Sequence, residues 1–137
     1  MDHSTVGDYV PASKSKGAYP HPRLKGGGHS EESLIYMRKH NTPYNITYTY
    51  PNGVRVGNVP THKDKAKKTG NNQSWFPKNW TRSTIRNAAK YVCSLKKNQG
   101  KKDGVRLFGV YRGVRVSVIK TNGQIATIFP DATKQPK

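Results

Sequence analysis

The stretch HPRLKGGGHSEESL, running from His21 to Leu34, sets two histidines around three glycines just ahead of a helix start. Ser30 followed by Glu31 and Glu32 reads as an N-cap with acid in the first turn. His29 therefore stands beside the exposed N–H groups of a helix, where the dipole favours an anion and disfavours a protonated ring. A neutral imidazole next to a phosphate is suited to take a proton. Gly26, Gly27 and Gly28 would let backbone approach a sugar-phosphate closely. A flexible glycine loop beside a surface histidine would use the same residues, since short glycine motifs often match by chance. A P-loop is excluded, because no Gly-Lys-Ser/Thr follows the glycines.

Two imidazoles and a lysine would suffice for one reaction in particular. RNA cleavage by 2′-OH attack needs a base for the hydroxyl, an acid for the departing 5′ oxygen and a cation against the charge on the phosphorane. His21 is a candidate for the second imidazole; His3, His40 and His62 are its rivals. Composition narrows the field from the other side. Seven acidic residues, Asp2, Asp8, Glu31, Glu32, Asp64, Asp103 and Asp131, are scattered along the chain. A two-metal nuclease needs several carboxylates converging on one place, and a glycosidase needs a facing pair. With 25 Lys+Arg the formal net charge is +18, so a polyanion is the expected partner. Nucleic acid leads over a membrane surface, because neither a bilayer-length apolar run nor a long basic amphipathic helix is present. Cys93 is the one cysteine, which precludes an intrachain disulfide or thiolate zinc cluster, and its helical apolar pattern reads as core.

The elements that must position these groups are legible in part. Residues 1–20 are polar and rich in Gly, Ser and Pro, and read as a flexible lead-in or lightly docked arm; 21–137 read as a single domain. A short helix is predicted from Ser30 to near Asn41, with Leu34, Met37 and Ile35 inward. Pro51-Asn52-Gly53 sits between two runs of β-formers and predicts a hairpin. The lysine-rich PTHKDKAKKTGNNQS is too polar for core and reads as a substrate-facing loop. WTRSTIRNAAKYVCSL places Ile85, Ala88, Ala89, Val92 and Leu95 at helical spacing. Three strands follow, broken at Arg112-Gly113 and Asn122-Gly123. The class is α+β: a short N-terminal helical part, then antiparallel sheets packed on a helix.

HPRLKGGGHS, GVRVGNV, a lysine-rich turn into SWFPKNWTRSTI, and GVYRGVRVSVIKTNGQIATIFP, in that order, resemble the bacterial EndoU nuclease domain over about residues 21 to 130. The most specific pieces are Gly27-Gly28-His29, Ser74-x-Phe76-Pro77-x-x-Trp80-Thr81 and Thr127-x-Phe129-Pro130. Such domains often form the C-terminal tip of contact-dependent growth inhibition and other polymorphic toxins.

The resemblance implies an EndoU-like fold and a metal-independent endoribonuclease, without cofactor, whose His-His-Lys centre leaves a 2′,3′-cyclic phosphate. It assigns the histidines to His29 and His21 and the lysine to Lys68, or next Lys67. Ser74, Thr127, Phe129 and Lys67 become nucleotide-facing residues, Phe129 supplying stacking without the hydroxyl of a tyrosine. It further implies tRNA as the favoured RNA, a cognate and acidic immunity protein, and delivery within a larger cell-surface toxin to the target-cell cytoplasm. Trp75, Phe76 and Trp80 are expected in the core rather than against RNA. A basic RNA-binding or ribosome-associated module is the competing reading of the charge.

Overall fold

The computed structural model describes residues 2–12 and 19–136. Among them are three α-helices and three small antiparallel sheets, the expected α+β class. None of these helices is long and apolar enough to cross a membrane.

Helix α3 (Arg82–Ser94) organises the larger core. The Thr81 hydroxyl caps it by accepting the Thr84 N–H at 3.2 Å. Ile85, Ala88, Ala89 and Val92 turn to one buried face. That stripe lies on strands β6 (Leu107–Tyr111), β7 (Val114–Thr121) and β8 (Gln124–Pro130), where Leu107, Val116, Val118 and Ile128 meet it. Each large aliphatic side chain so buried contributes about 1.5–3 kcal/mol. The strand reversals fall at Arg112-Gly113 and Asn122-Gly123, all four residues at positive φ, the conformation two-residue hairpin turns require. Cys93 is partly buried against this core.

A smaller core joins helix α2 (Glu31–Lys39) to strand β2 (Arg23–Gly26) and to the sheet of β3 (Asn45–Thr49), β4 (Arg55–Asn58) and β5 (Gln73–Trp75). Leu24, Leu34, Met37, Val59 and Trp75 fill it. Ser30 caps α2 as predicted, its hydroxyl accepting the Glu32 N–H at 3.1 Å. Ile35 does not share the buried stripe and is 52% exposed, because one residue on from Leu34 is about 100° around the helix. Trp75 and Phe76 are consecutive yet enter different cores, as neighbours on extended backbone must. Trp80 stacks on Phe76 at 5.0 Å, so all three aromatics are core, as expected.

Of the two readings for residues 1–20, a flexible lead-in or a lightly docked arm, residues 2–12 take the docked form. Residues 2–12 carry helix α1 (Asp2–Thr5) and strand β1 (Asp8–Val10), the latter paired antiparallel with β2; residues 13–18 lie outside the described residues. A four-residue polar helix cannot persist alone. Here the carbonyls of His3, Ser4 and Thr5 accept the N–H groups of Gly28, His29 and Ser30 at 2.8, 2.7 and 3.2 Å. The Ser4 hydroxyl also accepts the Ile128 N–H of β8 at 2.9 Å. Arg82 at the start of α3 bonds both Glu32 and Asp2, drawing the three helix starts together. Docking this close requires Gly27, which sits at φ +62° with the place of a Cβ only 1.8 Å from the His3 carbonyl oxygen.

Gly27→Ala should therefore cost well beyond the strain of the backbone angle. Gly100 at φ +75° has no atom within 4 Å of its missing Cβ, so Gly100→Ala measures that strain alone, about 1–3 kcal/mol. Urea denaturation should show the larger loss for Gly27→Ala, with faster amide exchange at Gly28 and His29. Equal losses in the two variants would show that α1 does not press on this loop.

Candidate active site

Between the two cores lies a cavity of about 300 Å³. Lys25 and Arg106 line it, Thr127 and Phe129 of β8 form part of its wall, and His3, His29, His62 and Lys67 bring three imidazoles and a further ammonium. Three separate chain segments deliver those groups: α1, the glycine loop before α2, and the lysine-rich loop between β4 and β5.

His29 is fixed on every side. Its N–H donates to Ser4 of α1, its carbonyl accepts the Phe76 N–H at 2.6 Å, and its ring Nδ1 donates to the Ser74 carbonyl at 2.7 Å. A proton held on Nδ1 by a carbonyl leaves Nε2 as a lone-pair acceptor, and that atom has no protein partner among the described residues. Burial pushes the pKa of this ring down to about 3, and the Lys67 charge adds to it against the Ser74 hydrogen bond. The ring is thus neutral at physiological pH. The largest cause is desolvation, followed by the Lys67 charge.

The Gln73 side chain, buried in β5, donates from Nε2 to the Gly27 and Gly28 carbonyls at 3.0 and 2.9 Å, holding the glycine loop from its other face. His3 is oriented by Asp8, whose carboxylate accepts from Nδ1. Its Nε2 lies 3.4 Å from the Thr127 hydroxyl. A carboxylate so placed holds the Nδ1 proton and offers a counter-charge to an imidazolium, the form whose Nε2 also carries a proton.

Lys67 ends a 3-10 turn (Lys65–Lys67) that Asp64 caps by accepting the Ala66 N–H at 2.9 Å. The Val59 N–H donates to the Lys67 carbonyl at 2.9 Å and ties the turn to the end of β4. The Lys67 ammonium donates to the Asn72 carbonyl, and burial lowers its pKa.

Two of the residues expected in the centre are elsewhere. His21 does not line the cavity: its ring lies 5.7 Å from that of Tyr19 and its Nδ1 donates to the Pro22 carbonyl at 2.9 Å. Lys68 closes the 3-10 turn and is likewise absent from the cavity wall, leaving Lys67 as the lysine of this loop that reaches it. Thr127 and Phe129 line the cavity, Phe129 with its ring 5.5 Å from that of His29. Ser74 is buried, its hydroxyl donating to the Pro130 carbonyl at 2.8 Å, and it lines an adjoining cavity that shares Asp64, Lys67, Arg106 and Phe129 with the first. Arg106, with its guanidinium 5.4 Å from the Phe129 ring centre, had no local signal marking it among so many basic residues. For His3 a faint signal existed: Asp8 five positions on, in a run of β-formers after Gly7.

A family profile described as bacterial EndoU nuclease matches residues 3–132. The chain belongs to this family. No curated protein and no solved structure matches it. The matched span opens on His3 and so takes in residues 3–5 of α1. Among the described residues of this EndoU nuclease, no group of three His, Cys, Asp or Glu side chains is arranged to hold a metal ion.

The His29 geometry has a direct spectroscopic consequence. Nitrogen-15 spectra of the imidazoles should show His29 as the neutral Nδ1–H tautomer from pH 8 down to pH 5. Because its folded pKa of about 3 lies below the unfolded value of 6.5, the unfolded chain binds more protons between them. Its contribution to stability is therefore fully present above pH 6.5 and is lost as pH falls toward 3. A His29 ring that titrates near pH 6.5 would refute this.

Proposed function

We propose that this nuclease is a metal-independent endoribonuclease that cleaves RNA by 2′-OH attack and leaves a 2′,3′-cyclic phosphate. One observation carries the reading: a neutral His29 with an unpartnered Nε2 shares a cavity with Lys67 and with a second imidazole, His3, backed by a carboxylate. His29 Nε2 takes the proton of the 2′-OH as its oxygen attacks phosphorus. The bond to the 5′ oxygen breaks, and His3, entering as the imidazolium paired with Asp8, gives that oxygen its Nε2 proton. The Lys67 ammonium opposes the negative charge that peaks on the phosphorane oxygens. Thr127 steadies His3 from the far side, and Phe129 offers a ring face to a base.

The reading extends to tRNA as the RNA cut, to delivery as the toxin domain of a larger cell-surface protein acting in the target cytoplasm, and to a cognate immunity protein. The formal charge of +18 supports an acidic surface on that partner as it supports phosphate binding in a salt-dependent way.

Single-turnover cleavage of RNA in EDTA tests the assignment. Wild type should cut; His29→Ala and His3→Ala should each lose about 10²–10⁴-fold in rate. Lys67→Ala should lower the rate far more than the affinity for RNA. His21→Ala and Lys68→Ala should stay near wild type. Activity lost on chelation and restored by Mg²⁺, or full activity in His29→Ala, would overturn the mechanism. A wild-type protein that shifts RNA without cutting it would reduce the function to RNA binding.

A further inference from the structure

His62 plays no part in the mechanism above, yet it is a third imidazole in the same cavity. Its ring Nδ1 accepts the Asp64 N–H at 2.7 Å. An Nδ1 occupied as acceptor places the proton of a neutral ring on Nε2. His29 and His62 thus face one cavity as opposite tautomers, each set by a backbone group: a carbonyl makes His29 an acceptor at Nε2, and an N–H makes His62 a donor there.

His62 is 2% exposed, and its Nε2 has no protein partner among the described residues. That nitrogen is not among the described side-chain atoms enclosed without a partner, so it opens onto the cavity, where an occupant can accept from it. The position is also rigid. The His62 N–H donates to the Val59 carbonyl and the Lys63 N–H to the Leu24 carbonyl, both at 2.9 Å, pinning the loop to β2 and the end of β4. Burial, with Lys67 next to it, lowers the ring's pKa to about 4, so at neutral pH it offers one N–H and no charge.

We propose that His62 is a phosphate-binding residue whose Nε2–H donates to a non-bridging oxygen of the scissile phosphate. The inference rests on the endoribonuclease reading. Lys67 then supplies charge to the phosphorane and His62 a directed hydrogen bond, neither giving up a proton.

Two variants separate this role from that of loop anchor. His62→Asn keeps an acceptor for the Asp64 N–H and removes the Nε2 donor; His62→Gln restores an amide donor near Nε2 and weakens the anchor. His62→Asn should keep a urea midpoint near wild type yet lose about 10²–10³-fold in single-turnover rate, and His62→Gln should recover part of that rate. Independently, imidazole nitrogen-15 spectra of the wild type should show His62 as the Nε2–H tautomer and a shift at that nitrogen on titration with inorganic phosphate. A phosphate-induced shift without RNA cleavage would sink the endoribonuclease reading and leave the anion site standing. Cleavage with an unmoved His62, or a wild-type rate in His62→Asn, would overturn the proposal itself.

Discussion

Three backbone hydrogen bonds hold the rest of the site in place: the carbonyls of His3, Ser4 and Thr5 receiving the N–H groups of Gly28, His29 and Ser30. Both partners have spare groups at those atoms, since a helix C-terminus has free carbonyls and the entry to a helix has free N–H groups. Joining them satisfies both ends and sets two catalytic candidates, far apart in sequence, across one cavity. The glycines answer to this contact as much as to any ligand, because at Gly27 a side chain would occupy the position of the His3 carbonyl. Gln73 closes the arrangement from behind through the Gly27 and Gly28 carbonyls.

The electrostatics follow from a shortage of acid. All seven carboxylates are engaged by the protein itself. Asp2 and Glu32 bind Arg82, Glu31 binds Arg55 and Arg38, Asp131 binds Arg115, and Asp8 binds His3. Asp64 caps the 3-10 turn, and Asp103 accepts the Asn122 and Gly123 N–H groups of the last hairpin. Asp64 is the carboxylate in the cavity wall that acts on Lys67; against it stand Lys25, Lys67 and Arg106, so the cavity keeps its attraction for an anion. The same field, added to burial, keeps His29 and His62 neutral, the state in which one can accept a proton and the other donate a hydrogen bond.

What could be read from the sequence follows how local each signal is. Helix α3, the capped start of α2 and the Asn-Gly hairpins are encoded by neighbours three or four residues apart, and each forms as read except that Leu95, read as part of the α3 stripe, is extended just past its end at Ser94. His29 is legible because Gly-Gly-His before an N-cap is a compact pattern. Helix α1 is not, since nothing within four polar residues favours it; its stability comes from segments 28–30 and 82 and from β8. His21 drew attention through proximity in sequence, whereas the pairing of β1 with β2 carries His3 to the site and leaves His21 outside. Lys67 and Lys68 are indistinguishable by spacing because successive residues of a 3-10 turn point about 120° apart, and only the folded turn decides which faces inward.

The central claim, that a neutral imidazole, a second imidazole and a lysine carry out a 2′-OH displacement without a metal, is written in the ends of the product. Phosphorus-31 NMR and mass spectrometry of a short RNA cut by the wild-type protein in EDTA test it most directly. The account predicts fragments ending in a 2′,3′-cyclic phosphate, with 5′-hydroxyl partners. Fragments bearing 5′-phosphate and 3′-hydroxyl ends would mean that water, not the 2′-OH, attacked phosphorus, and would contradict it.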